Sequence, residues 1–413
     1  MKILTFGSCN IDCVYKVPHI VNPGETIAAE SLTLSPGGKG LNQALAIAKA
    51  DVPVYLAGCI GKEDTMLRPL LQTHGVDLTY LNEVNTQTGQ AIIQVDSLGE
   101  NSIFIFPGAN GSVSKEHIDH VLQNFERDDI LLLQNEISNL QYLIDAAYEV
   151  GMRIILNPSP FENQLSAIDL KKLFCIILNE TEASQWVNSE HPFDFFLLVQ
   201  QKCPTLNIVL TLGKKGSIYF KDGKYYRQQA YKTNVIDTTA AGDTFTGYYV
   251  AGIYNNLNTA DIFQLASAAA AITVSKIGAA SSIPSIKEVN AHLPSMVQHC
   301  FDNLAEQKDV ILSYITAHLA DVKLIDIANL LSYSEDYAGK WIQHHFEINF
   351  SNLLQRERCR IAADLLTTTN LPINEIIEKI GYNNGSFFRK VFYKYYRMLP
   401  LEYRNQKNVK ETK

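Results

Sequence analysis

Two glycine-rich clusters, some 200 residues apart, carry chemistry that residue type and spacing alone reveal. The first is Ser35-Pro36-Gly37-Gly38-Lys39-Gly40-Leu41-Asn42-Gln43. The second is Asp237-Thr238-Thr239-Ala240-Ala241-Gly242-Asp243-Thr244-Phe245-Thr246-Gly247, and each runs into a stretch with helical spacing. Neither fits G-x-x-x-x-G-K-[ST] or G-x-G-x-x-G, so the P-loop and dinucleotide-binding folds lack support. Small residues at a helix start let backbone N–H groups face an anion, and the helix dipole favours the same charge. An Asp inside such a donor cluster is out of place unless its carboxylate has a task. Asp243 is suited to taking a proton from an attacking hydroxyl, while the amides of Ala240, Ala241 and Gly242 neutralise a transferring phosphoryl group. Either cluster alone reads as a turn or an N-cap. Both together, in this order, read as a phosphoryl-transfer site.

The elements that must hold these clusters alternate along the chain to about residue 290. Short runs rich in Ile, Leu and Val (KILTFG, VPVYLAGCIG, ILLLQNE, RIILNPSP, FCIILNE, NIVLTLG) end in Gly, Asn, Asp, Glu or Pro. Runs apolar on both faces suit buried parallel strands, and the intervening LNQALAIAKAD and LQYLIDAAYEVG have helical periodicity. The fold class expected is α/β, with polar groups gathered at strand C-termini, where such sheets bind ligands. TGQAIIQVDSLGENSIFIFPG alternates around a turn and predicts a hairpin with one exposed face. Residues 13–17 and 26–33 are expected to add strands to it, making a small β flap. From Asp302 onward every apolar pattern is helical, which predicts a second, all-α domain.

With 413 residues, 46% hydrophobic and 19% charged, the chain suits two or three globular domains. Its net charge of −8 hides a split. Residues 1–299 hold 20 Lys+Arg against 29 Asp+Glu, residues 300–413 hold 15 against 14, and residues 384–413 hold 8 against 2. The seven cysteines are scattered with no C-x-x-C pair, which argues against a disulfide framework or zinc site and for a reducing compartment. Met1–Asp12 reads as a strand rather than a secretory leader, and the most apolar run, Leu265–Val274, is too short to span a bilayer. A soluble cytoplasmic protein, with no membrane partner, is the expectation.

Residues 1–290 resemble the ribokinase-like, PfkB-type carbohydrate kinases: GGKGLN is similar to that family's first signature and DTTAAGDTF to its second. The resemblance implies a three-layer α/β/α kinase domain over residues 1–295, with ATP and Mg²⁺ as cofactors. It makes Asp243 the catalytic base and Ala240, Ala241 and Gly242 the anion hole. Asn10 and Asp12 in GSCNID, Gly38, Lys39 and Asn42 in GGKGLN, and Glu136 in LLLQNE match the positions that hold sugar hydroxyls. Asn179 and Glu182 in LNETEA match phosphate and Mg²⁺-water positions. Thr211, Gly213 and Gly216 in TLGKKGS look like part of the nucleotide-binding turn. Asp237, Thr239 and the loop 276–282, with Gly278 and Ser282, resemble a monovalent-cation loop, which implies K⁺. The sugar segments look more like ribokinases than fructokinases, adenosine kinases or ketodeoxygluconate kinases. Ribose, phosphorylated at its primary hydroxyl, is favoured, with another pentose or a nucleoside fitting nearly as well. In relatives the flap often pairs subunits, so a homodimer is expected.

In the helical part, Leu324–Ser334 and Ile373–Asn384 each have helix–turn–helix form, with Ser334 as a cap and Gly381 as a terminator. Residues 303–407 resemble the AraC/XylS-type DNA-binding domain, most closely through GY, SFFRKVF and PLEYR. The resemblance implies that helices near 335–345 and 385–395 enter successive major grooves, with Lys340, Gln343, Arg389 and Lys390 as contacts. Phe388, Phe392, Trp341 and Tyr403 are expected in the core. Two features depart from the family. Glu347 and Arg397 stand where Gly is usual, and Glu335 and Asp336 make the first helix acidic. The combined reading is a sugar kinase fused to a DNA-binding domain for sugar-linked transcription regulation. A sugar-sensing regulator with weak turnover, and a kinase whose helical domain binds protein, are the alternatives.

Overall fold

The computed structural model describes residues 1–189, 194–221, 224–296, 304–331, 334–369 and 371–408. The chain divides into two compact units, Met1–Cys300 and Phe301–Lys413. Among its described residues the first holds thirteen strands: β1 (Ile3–Phe6), β2 (Asn10–Lys16), β3 (Ser31–Gly37), β4 (Tyr55–Gly61), β5 (Leu81–Val84), β6 (Gly89–Val95), β7 (Asn101–Phe106), β8 (Ile130–Gln134), β9 (Arg153–Asn157), β10 (Cys175–Asn179), β11 (Asn207–Thr211), β12 (Ser217–Lys221) and β13 (Lys224–Gln228).

Nine of these form one sheet in the order β13-β12-β11-β10-β9-β8-β1-β4-β5. It is parallel from β11 to β5, and β12 and β13 run antiparallel at one edge. The doubly apolar runs belong here because alternate side chains enter separate cores. Ile3, Ile130, Leu132, Ile155 and Ile177 pack with the helices Lys39–Lys49, Ala241–Tyr254 and Thr259–Thr273. Leu4, Leu131, Leu133, Leu156 and Leu178 pack with helices Lys115–Leu122, Leu140–Val150 and Glu180–Val187 on the other face. The result is the three-layer α/β/α arrangement expected. Next to β1, the chain goes to β4 on one side and β8 on the other, so the sheet has its topological switch point between β1 and β8. Crevices of this kind, at strand C-termini, bind ligands.

The flap is a separate four-stranded sheet, β3-β2-β6-β7. The expected hairpin is β6–β7, with Val95 opposite Asn101. Of the two further strands, the first begins earlier than expected, at Asn10–Lys16, and the second is displaced to Ser31–Gly37, leaving 26–30 outside it and extending past residue 33. That extension matters, because it carries both sugar motifs into the flap's root: Asn10 pairs with Gly37 on one side and Gly89 on the other.

Among the described residues the elements of the second unit are all helices: Leu304–Ala317, Leu324–Leu331, Glu335–Phe346, Phe350–Thr368, Ile373–Lys379, Gly385–Tyr396 and Pro400–Asn408. Ser334 accepts from the Tyr337 N–H and Asn384 from those of Ser386 and Phe387, satisfying first-turn donors. Gly381, at φ +78°, ends the helix before the second turn, and a Cβ there would collide with Ala320. Trp341, Phe388 and Phe392 are buried. Tyr403 is half-buried, its ring edge-on to Phe392 at 5.6 Å. Among the described residues no helix is long and apolar enough to cross a membrane.

Candidate active site

Strand ends around the switch point supply most of the polar groups. Ser8 follows β1, and its Oγ donates to Glu136 Oε2 just beyond β8. The same carboxylate oxygen receives the Lys39 backbone N–H at 3.4 Å. Asn10 Oδ1 accepts from Asn110 Nδ2 at 2.7 Å, and Asn110 Oδ1 accepts the Cys9 N–H at 3.0 Å, so a buried amide fixes which way Asn10 faces. Gly38 adopts φ +92° and its Cβ position lies 2.8 Å from the Asn10 nitrogen, so a side chain would force the two motifs apart.

Asp12 is buried, and burial together with the charges of Glu136 and Asp243 pushes its carboxyl up to about 7, against the pull of Lys39. Burial likewise raises the carboxyls of Glu136 and Glu182, again opposed by Lys39. Burial works against the Lys39 ammonium, but Asp243, Glu136, Glu182 and Asp12 outweigh it, leaving its pKa raised. One cation therefore sits in the field of four carboxylates contributed by four separate segments. A cleft so built holds polyhydroxylated ligands well, because each hydroxyl finds both acceptors and donors.

Asp243 opens the helix Ala241–Tyr254 and is buried. Asn42 Nδ2 donates to its Oδ2 at 3.2 Å and Gln43 Nε2 to its Oδ1 at 2.9 Å. Asn42 Oδ1 is buried with no protein partner, an acceptor available to a ligand hydroxyl. Ala240, before the helix, lies at φ 60°, ψ 7°, and no side chain caps the first-turn N–H groups. A left-handed alanine costs about 1–2 kcal/mol. It turns the chain so that the donors of the first turn are left for an anion beside a carboxylate base.

Asp237 ties this turn to the loop 276–282. Its Oδ1 accepts from Thr239 N and Oγ1 at 2.9 and 2.6 Å, and its Oδ2 from Gly278 N at 2.9 Å. Although burial opposes it, these hydrogen bonds hold the carboxyl below its ordinary value. Ser282 Oγ donates to the Ala279 carbonyl at 2.7 Å, tightening the same loop. On the far side, Asn179 and Glu182 form a reciprocal capping box, each side chain binding the other's backbone N–H at 2.9 Å. In register beside Asn179 stands Thr211, whose Oγ1 donates to the Leu178 carbonyl at 3.4 Å. The turn after Thr211 has Gly213 at φ +53° and Gly216 at φ +95°.

Residues 1–286 match the family described as pfkB family carbohydrate kinase. The chain belongs to this family. A ribokinase of Haemophilus influenzae is 36% identical over 299 residues, covering 70% of this chain and 97% of that protein. Among solved structures, ribokinase from Cryptococcus neoformans in complex with ADP has a TM-score of 0.64 at 34% identity, covering 70% of this chain and 99% of that one. Arabidopsis thaliana ribokinase, complexed with ribose and ATP, has a TM-score of 0.61 at 30% identity, covering 71% and 98%. Residues 327–406 match a helix-turn-helix domain family, in keeping with the AraC-type resemblance.

In this pfkB kinase the sugar-motif residues and Asp243 do meet, at the switch point, while Asn179, Glu182, Thr211, Gly213 and Gly216 form the neighbouring rim. Sequence reasoning passed over the residues that hold them. Gln43 Oε1 accepts from Gln134 Nε2 at 2.7 Å, and Gln43 Nε2 also reaches Asn157 Oδ1 at 3.0 Å. Asn157 Nδ2 donates to the Ile177 carbonyl at 2.9 Å, which sets the orientation of the whole amide chain. Ser8 and Asn110 were passed over too. A usable signal existed: β8 and β9 each close an apolar run with an amide, Gln134 and Asn157, which pair in register. In the helical unit, Lys340, Gln343, Arg389 and Lys390 are all exposed, and Lys340 Nζ is bound to Asp336 at 2.6 Å.

Proposed function

We propose that the kinase unit transfers the γ-phosphoryl group of ATP to the primary hydroxyl of ribose, giving ribose 5-phosphate and ADP. The observation that carries the reading is the buried Asp243, held by two amide donors at the mouth of an uncapped helix and facing the sugar-motif residues. Asp243 takes the hydroxyl proton, the freed oxygen pair attacks phosphorus, and the bond to the bridging oxygen of ADP breaks. The N–H groups of the Ala240–Gly242 turn meet the charge on the phosphoryl oxygens. Asn10, Asp12, Asn42, Lys39 and Glu136 orient the sugar, and the flap excludes water that would compete as acceptor. The ribose and ATP in the Arabidopsis structure support this choice of substrates.

Mg²⁺ neutralises the nucleotide phosphates when bound. Glu182, a buried oxygen donor beside Asp243, suits a hold through water on a cation that keeps most of its hydration. Asn179, Thr211, Gly213 and Gly216 serve the nucleotide. A potassium ion would take carbonyls of the Asp237–Thr239 turn and of the loop containing Gly278 and Ser282. Pairing of two copies through the flap is supported by the apolar residues exposed on it, Leu32 and Leu34 on β3 and Ile103 to Phe106 on β7. The six cysteines among the described residues are free and buried, which fits a reducing cytoplasm.

The helical unit binds duplex DNA, so that occupancy of the sugar site tunes transcription by altering dimer geometry or half-site spacing. ATP-coupled turnover across pentoses, hexoses and nucleosides, with and without K⁺, tests the enzyme. Ribose should lead, and Asp243→Asn should abolish turnover. An active panel on which ribose is not preferred defeats the substrate assignment. The regulatory part fails if sugar, ATP and both together leave DNA affinity unchanged at fixed salt.

A further inference from the structure

The second helices of the two helix–turn–helix units correspond residue for residue at an offset of 50. Helices Glu335–Phe346 and Gly385–Tyr396 are each twelve residues long, capped by Ser334 and Asn384 and closed by left-handed Glu347 and Arg397. Ala338, Trp341 and Ile342 are buried in the first, and Phe388, Val391 and Phe392 at the same places in the second. Equivalent positions therefore face outward in both, and what they present is opposite. The first helix shows Glu335, Asp336 and Glu347 with one base, Lys340. The second shows Arg389, Lys390, Lys394 and Arg397 with no acid.

Local pairing widens the contrast. Lys340 is bound by Asp336, whereas its equivalent, Lys390, has Ser386 four residues before it. Among the described residues, none of the four bases on the second helix is held in an ion pair. Where the second helix carries Arg389, the first has Gly339, which lines a depression of about 800 Å³ together with Glu335, Asp336, Lys340, Gln343 and His344. A phosphate in that hollow faces two carboxylates and one ammonium, the ammonium being paired with Asp336.

We propose that this chain grips duplex DNA through one major groove only, with the helix Gly385–Tyr396 supplying the phosphate and base contacts and the helix Glu335–Phe346 supplying none. The inference rests on the DNA-binding reading above. Of the four expected contact residues it keeps Arg389 and Lys390 and releases Lys340 and Gln343.

The test uses the full chain and a labelled mixed-sequence duplex about 40 bp long, with affinity followed by anisotropy from about 50 to 200 mM salt. Each phosphate neutralised adds about 0.9 to the slope of log K against log salt, so Arg389→Ala and Lys390→Ala should each lower that slope by about 1. Lys340→Ala and Gln343→Ala should leave slope and affinity within about twofold of the parent. All four side chains are exposed, and unchanged sugar turnover and helix content confirm an intact fold. A loss of slope with Lys340→Ala equal to that with Lys390→Ala overturns the one-groove assignment while leaving DNA binding standing. So does unaltered slope in all four variants. Absence of salt-dependent binding by the parent chain overturns the DNA-binding reading itself, and the assignment with it.

Discussion

Gln43 Nε2 donates to Asp243 Oδ1 at 2.9 Å, and both residues are buried. A carboxylate that must accept a proton in one direction only needs its plane fixed, and a side-chain amide locked from behind does this. Gln134 holds the oxygen of Gln43, and Asn157 takes the second hydrogen of its nitrogen. Gln43 is thus a positioning residue, acting on the hydroxyl only through Asp243.

Gln43→Leu should lower kcat about 10- to 150-fold, the equivalent of the 1.5–3 kcal/mol typical of a hydrogen bond to a charged group. The KM for sugar should stay within about twofold, since the sugar's own partners are untouched. Steady-state kinetics separate the two. A proportional rise in KM without loss of kcat would place Gln43 in sugar binding instead.

Asp12 sets a pH dependence whose sign follows from its raised carboxyl. Its ligand-free contribution to stability is complete below the ordinary 3.8 and is lost as pH rises through about 7. Melting temperature without sugar should therefore fall over that window. Sugar hydroxyls donate to the ionised form, so the KM for sugar should fall as pH climbs through about 7 and then level off. Asp12→Asn should flatten the first trend in melting experiments and remove the second from kinetics. A variant that keeps the parent's KM–pH profile would assign it to another group.

Much of this fold was legible in the sequence for a physical reason. Runs such as ILLLQNE are apolar on both faces only because helices cover both sides of the sheet, so the pattern itself states the layering. Asp243 and the two glycine motifs were legible because runs of Gly and Ala leading into helical stretches, one with a carboxylate among the small residues, are patterns of residue type and local spacing. Gln43 was not, because a buried glutamine between apolar helix positions looks like any tolerated polar residue until its three partners converge from β8, β9 and the Asp243 helix. The charge contrast between the two helical units was half legible. Glu335 and Asp336 stand out in the sequence, whereas the shared burial register of the two helices exists only in the folded unit.

Gly89 should prove as critical to the sugar as any polar residue. A Cβ there would collide with Asn110 Nδ2 and Asn10 Oδ1, breaking the pair that aims Asn10. Forcing a methyl into a packed site costs about 1–3 kcal/mol. Gly89→Ala should accordingly raise the KM for sugar about 5- to 150-fold, with the KM for ATP unchanged within about twofold. Isothermal titration with each substrate separately checks it, and equal weakening of both would point to a general collapse of the fold.

Glu347 and Arg397 close their helices at φ 59° and φ 55°, in the region where side chains are strained and glycine is not. Replacing either by glycine should stabilise the helical unit by about 1 kcal/mol, since the relief of strain exceeds the entropy glycine adds to the unfolded chain. For a unit of this size that raises its melting transition by about 4–8 °C. The two variants should then diverge on DNA. Arg397→Gly removes a base from the cationic helix end and should flatten the salt dependence of binding, while Glu347→Gly should not. Calorimetry and anisotropy on the same two proteins thus separate backbone strain from phosphate contact. Equal stabilisation with equal loss of DNA affinity would mean that both helix ends lie against the duplex.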